Sequence, residues 1–150
     1  MVDVIRILVS SFLASLGFGV LFNIHGNKLF LAGIGGSIGG VVYHLSLQYG
    51  CSEMMAMFFG SISFSLYSEI LARVFKTPVT TFIICALIPL VPGGGMYKTM
   101  LEAISGHADK ALTLGINTMC IAGVLALGIL LVSTITRAIF KTKRQAVNQE

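Results

Sequence analysis

Glu69 and Arg73 stand in an otherwise apolar stretch and carry the chain's most conspicuous ionic chemistry. They lie four residues apart, so a helix would put them on one face. Ser61, Ser65 and Ser68 continue that face as a polar stripe. An ionisable residue at the centre of a membrane helix costs on the order of 2.5 to 3.5 kcal/mol on insertion scales, so it calls for a reason. One reading makes the stripe the lining of a substrate or proton path, with Glu69 the coupling group. The other makes Glu69 and Arg73 an ion pair near the end of a span, with Arg73 reaching toward the headgroups. Glu69 lies about 9 Å inside Phe75 along a helix, a depth that fits both.

The second unusual stretch is "IPLVPGGGMY", Ile88 to Tyr97. Pro89 and Pro92 each remove a backbone donor. Gly93, Gly94 and Gly95 permit conformations closed to other residues and allow close approach of a ligand. A helix that starts after such a break points free N–H groups and a positive dipole end at whatever sits there. Broken helices in transporters hold carboxylates in this way. The break is therefore either an anion-binding site built from the backbone of residues 93–95 with Tyr97 beside it, or a plain turn after Val91. Asn117, further on, either touches the solute or bonds across helices.

Other chemistries find no support. Cys51, Cys85 and Cys120 share no metal-ligand spacing, and His25, His44 and His107 are scattered. No metal or cofactor is expected. There is no H-E-x-x-H, no G-x-S-x-G and no pair of intramembrane aspartates, so no enzyme is expected. The run "GIGGSIGG" fails the dinucleotide-binding pattern because Ile38 takes the last glycine position.

The elements that must position these residues are membrane helices. The 150 residues are 55% hydrophobic and 11% charged. Mean hydropathy is +0.91. Apolar runs of about eighteen residues or more read as membrane spans. The expected fold is an all-α integral membrane protein of about five transmembrane helices, the fourth ending in the Pro/Gly break and followed by a short helix. The spans are placed at residues 4–22, 29–49, 54–75, 78–91 and 111–137, with a short helix at 96–104 and a polar tail at 138–150, in one domain. The first apolar run reads as a span and not as a signal peptide.

Lipid is as apolar as leucine, so small residues must let membrane helices approach. Ser11, Ser15 and Gly19 recur every fourth residue, as do Ala32, Gly36 and Gly40, and Thr118, Ala122 and Ala126. Gly35 pairs with Gly39 in the same sense. These grooves serve one compact subunit, a homo-oligomer or another partner.

Lys and Arg set orientation. With five spans and a cytoplasmic C-terminus, the cytoplasmic side holds Lys28, Arg73, Lys76, Arg137, Lys141, Lys143 and Arg144. The other side holds Arg6, Lys98 and Lys110. The balance of seven to three favours this orientation, while a four-span reading with the broken segment re-entrant reverses the N-terminus. The basic tail is a topology anchor and no sign of nucleic-acid binding.

The stretch from Ser68 to Tyr97, "SEILARVFKTPVTTFIICALIPLVPGGGMY", resembles the signature of the threonine/serine exporter family. An acidic residue and an arginine close one span, Thr77-Pro78 opens the next, and a Pro-Leu-Val-Pro-Gly core is followed by a tyrosine. Val20-Leu21-Phe22-Asn23 is similar to that family's first turn. The whole chain resembles its small, YjjB-like membrane subunit. The resemblance implies export of small carboxylate-bearing metabolites across the inner membrane, amino acids such as threonine and serine or dicarboxylates such as succinate. It also implies a larger membrane subunit as partner. Where the family often has a proline-glycine step before the core, this chain reads Cys85-Ala86-Leu87. A membrane scaffold or a homomeric channel is the alternative.

Overall fold

The computed structural model describes residues 2–147, with side chains through residue 140. The described residues are helical throughout, joined by short turns. Three long helices come first: α1 (Val2–Leu21), α2 (Asn27–Gln48) and α3 (Glu53–Val74). Then come α4 (Thr80–Leu87), a 3-10 turn (Ile88–Leu90), α5 (Gly93–Ile104) and α6 (Ala108–Val147). Left-handed residues follow the helices: Asn23 after α1 and Lys76 after α3, with Gly50 after α2 and Gly106 after α5. Gly50 and Gly106 take φ of +82°, and the following N–H groups of Cys51 and His107 reach back to Ser46 and Glu102. This is the left-handed helix stop that glycine adopts most cheaply. Ser52 caps α3 by accepting from the Met55 N–H at 3.4 Å. Asp109 lies in the first turn of α6, where an acid complements the dipole.

Among the described residues four helices are long and apolar enough to cross a membrane: α1, α2, α3 and residues 108–140 of α6. The fifth candidate is a broken one. Residues 80–90 and 93–104 qualify only together, and they meet at a bend of 54°. Each half rises about 18 Å, so the break falls near the middle of the pair. The second half begins at Gly93, three residues before the expected short helix. The glycines form its first turn.

The glycine run of α2 joins the bundle. A Cβ on Gly36 would collide with Ser15, and one on Gly40 with Ser11, both on α1. A Cβ on Gly35 would press on Ala86 and Tyr67, and one on Gly39 on Leu90 and Phe64. Gly36 and Gly40 thus admit α1 on one side, while Gly35 and Gly39 admit α3 and α4 on the other. Backbones at this distance gain dispersion contacts that lipid cannot match. The Tyr67 hydroxyl donates to the Leu31 carbonyl at 3.2 Å and ties α3 to α2. The buried core behind it holds Met57, Phe64, Ala86, Leu90, Ile121 and Leu125.

The pairings fix helix directions. Ser61 meets Gly128 and Arg73 meets Phe140, so α3 and α6 run parallel. Gly95 meets Thr118 and Gly115 meets Thr99, so α5 runs antiparallel to α6. That register sets the start of α3 beside the Asn117–Ile121 stretch of α6. The first turns of α6, with α5 alongside, extend past the start of α3. α5 contacts no helix but α6 among the described residues and buries none of its own residues. Of the small-residue series in the last span, Thr118 is buried but Ala122 and Ala126 are exposed. The inward face of α6 runs instead through Ile121, Leu125, Gly128 and Val132.

Candidate functional site

Proline chemistry makes the break. Pro89 lies within the 3-10 turn and Pro92 sits at φ −74°, ψ +52°. Those angles are near an inverse γ-turn, and the Gly93 N–H closes it on the Val91 carbonyl at 2.7 Å. The chain turns there and at once re-enters helix, with the Met96 N–H on the Pro92 carbonyl at 3.1 Å. The N–H groups of Gly94 and Gly95 fall between these two bonds and have no acceptor among the described residues. They are the orphan donors of a helix start, lying at the positive end of its dipole.

None of residues 93–95 has a positive φ. The reason for glycine here is space, and it differs along the run. A Cβ on Gly93 or Gly94 would meet nothing within 4 Å. A Cβ on Gly95 would lie 2.5 Å from the Thr118 hydroxyl oxygen. That hydroxyl is held in place by donating to the Leu114 carbonyl at 2.7 Å. Gly95→Ala is therefore expected to loosen α5 from α6 at a cost of about 1–3 kcal/mol. Adding Thr118→Ala should restore most of it. Thermal unfolding of the two variants in detergent checks this, and equal stability of Gly95→Ala and wild type would contradict it.

The free N–H groups open on a cleft of about 380 Å³. Its walls come from α2 (Tyr43), α3 (Glu53, Met57), the break (Pro89 to Pro92), α5 (Gly94, Gly95, Lys98) and α6 (Leu114, Asn117, Thr118, Ile121). The size suits a small metabolite, and the lining mixes charged and polar side chains with apolar ones. Lys98 adds a positive charge on the helix whose N-terminus is already positive.

Of the residues singled out from sequence, Pro89, Pro92, Gly94, Gly95 and Asn117 line this cleft. Gly93 is not among the lining residues. Tyr97 does not line it and is 69% exposed. Ser65 is buried inside the bundle, and its hydroxyl has no hydrogen-bond partner among the described residues. Glu69 and Arg73 lie toward the other end of α3. Glu69 is about 24 Å along the helix from Glu53. Sequence reading passed over Glu53, Lys98 and Tyr43. "GCSE" reads as a polar turn, yet Ser52 followed by Glu53 is also a helix start, which was the available signal.

The second cluster is ionic. One Arg73 amine donates to the Glu69 carboxylate at 3.1 Å, with Glu69 2% and Arg73 29% exposed. The guanidinium carbon sits 3.5 Å from the centre of the Phe140 ring. Arg73 thus lies between an anion on its own helix and an aromatic face on α6, both of which attract its guanidinium. Ser61 and Ser68 donate to the carbonyls of Phe58 and Phe64 and take no part in it. Among the described residues no group of His, Cys, Asp and Glu could hold a metal ion. Cys85 is buried, Cys51 half-buried and Cys120 exposed.

Comparison with known proteins gives this geometry a setting. A family model described as Threonine/Serine exporter, ThrE matches residues 7–135. An uncharacterised protein of Haemophilus influenzae is 25% identical over 125 residues, covering 78% of this chain. The match takes up 42% of that relative's length. No solved structure matches. A transporter family, apolar helices of membrane length and a helix broken at a polar cleft agree with one another. This multi-pass membrane chain belongs to the threonine/serine exporter family.

Proposed function

We propose that the chain is a subunit of a secondary exporter for small carboxylate-bearing solutes, threonine and serine or dicarboxylates such as succinate. The observation that carries the reading is the cleft at the α4–α5 break, where the unpaired N–H groups of Gly94 and Gly95 and the Lys98 ammonium converge. The solute carboxylate accepts from these N–H groups, and Lys98 neutralises it. Asn117 offers an amide to a hydroxyl or second polar group. The cleft is bordered by a bent helix pair, the kind of irregular backbone that membrane proteins keep where it lines a cavity.

The chain acts in the inner membrane with its C-terminus in the cytoplasm, which places the cleft toward the outer face. A larger membrane subunit completes the transporter. Two observations support a partner. The Haemophilus influenzae relative is more than twice the matched length. In addition, α5 leaves Met96, Met100, Leu101 and Ile104 uncovered by this chain. The scaffold reading leaned on small-residue grooves, and those of α1 and α2 are occupied by the chain's own helices.

The proton gradient drives export, with Glu69 the coupling group. Protonation of Glu69 would remove the charge that Arg73 pairs with and so loosen the contact of Arg73 with Phe140 on α6. Glu69→Gln, made at normal expression, should lower gradient-driven export roughly tenfold or more, the scale of a typical coupling free energy. Exchange of labelled for unlabelled solute without a gradient should persist. Full gradient-driven export by Glu69→Gln would refute this role.

A further inference from the structure

We propose that Glu53 makes the cleft select solutes that carry an ammonium group as well as a carboxylate. The proposal rests on the cleft being the solute site. Glu53 and Lys98 border the same cleft from different helices. They are the one acid and the one cation among its described lining residues. Neither side chain makes a hydrogen bond or an ion pair among the described residues. Both are exposed, at the mouth of the space and not sealed in the core.

A small cleft with one free charge of each sign is divided. The positive part holds Lys98 and the N–H groups of Gly94 and Gly95. The negative part holds Glu53, brought in by the first turn of α3. A zwitterion satisfies both parts at once, its carboxylate toward α5 and its ammonium toward α3. A dicarboxylate satisfies the first and meets like charge at the second. Glu53 therefore attracts one solute class and repels the other, and specificity rises from both. An acid in the first turn of a helix also favours the helix dipole. That role is indifferent to which solute is present, so solute preference separates the two.

The test uses inside-out membrane vesicles from cells that make the full chain with its native membrane partners and lack other copies of it. Uptake of labelled serine, threonine and succinate is measured in parallel. Glu53→Gln should raise the half-saturation concentration for serine roughly tenfold or more, the worth of a hydrogen bond to a charged group. It should leave succinate uptake unchanged or higher, and Glu53→Asp should keep the wild-type preference. Lys98→Gln should weaken all three solutes alike. A second measurement needs no variant. Glycerate, which is serine with a hydroxyl in place of the ammonium, should compete with labelled serine on wild-type vesicles roughly tenfold more weakly than serine itself. An unchanged serine-to-succinate preference in Glu53→Gln, or equal competition by glycerate and serine, would overturn the role of Glu53 while leaving the cleft as the solute site. Vesicles that take up none of the three solutes would overturn the exporter reading itself.

Discussion

Gly94→Leu is expected to abolish export while leaving the protein folded. A Cβ at Gly94 meets nothing within 4 Å, so the first atoms of the new side chain displace no neighbour. The backbone there is already helical, with no positive φ to strain. Leucine is also the better helix former, by roughly 0.5–1 kcal/mol. Stability should therefore change by no more than about 1 kcal/mol. What the side chain occupies is the cleft itself, because Gly94 lines it. An isobutyl group there covers the orphan N–H groups and takes the volume a solute carboxylate needs. Solute uptake by vesicles carrying the variant should fall to background, with normal amounts of chain in the membrane. Normal uptake by a stable Gly94→Leu protein would remove the anion site from the α5 start. The comparison with Gly95 sharpens the point. Two adjacent glycines are expected to fail differently, one by blocking the cleft and the other by pushing α5 off Thr118.

The second large effect is on assembly. Gly39→Leu is expected to prevent the bundle from closing. Even a bare Cβ at Gly39 would sit 3.0 Å from Leu90 and 3.1 Å from Phe64, both buried. Those side chains belong to the core shared by α3, α6 and the 3-10 turn, so neither has free space to enter. Overpacking such a site costs about 1–3 kcal/mol for added methylenes, and a four-carbon side chain between two helices lies at or above the upper end. The variant should accumulate poorly and run as aggregate on size exclusion in mild detergent. Gly123→Leu serves as control. Gly123 is exposed and nothing lies within 4 Å of its Cβ position, so that variant should behave as wild type. A monodisperse Gly39→Leu protein at wild-type yield would contradict the packing described for α2.

Much of this fold can be read from the chain before its structure is seen. Long apolar runs separated by Gly50-Cys51-Ser52 or Gly106-His107 have few alternatives to helices with short turns. The spacing of Gly36 and Gly40 against Ser11 and Ser15 is likewise a local pattern with one physical use in lipid. The break is legible because proline lacks a donor whatever surrounds it. The limits are just as physical. Three glycines in a row suggest unusual φ, yet Pro92 alone makes the turn and the glycines continue as helix. Their value depends on Thr118, more than twenty residues away, and only the register of α5 on α6 reveals it. Ala122 and Ala126 carry the small-residue spacing but face outward. Ile121, Leu125 and Gly128 decide which side of α6 turns in. Glu53 was missed for the same reason. Nothing near it in sequence says that the start of α3 will stand beside the break and Lys98.

The two ionic features divide the molecule. The cleft with Glu53 and Lys98 lies at one end of α3, and the Glu69–Arg73–Phe140 cluster lies at the other. α3 is a single uninterrupted helix between them, and its parallel neighbour α6 borders both sites. An exporter needs its solute site and its energy input to be coupled, and a shared pair of helices is a physical route for that coupling.

The most direct test of the cleft as the solute site is protection from chemical modification. Gly94→Cys, in a chain with Cys51, Cys85 and Cys120 replaced by serine or alanine, puts a thiol on the cleft wall where there is room for it. Vesicles carrying this chain and its native membrane partners are treated with a membrane-permeant maleimide, with and without saturating threonine. The expected result is that threonine slows labelling severalfold and that completed labelling stops threonine uptake. Labelling at the same rate with and without threonine, in vesicles that still transport it, would show that the solute binds elsewhere.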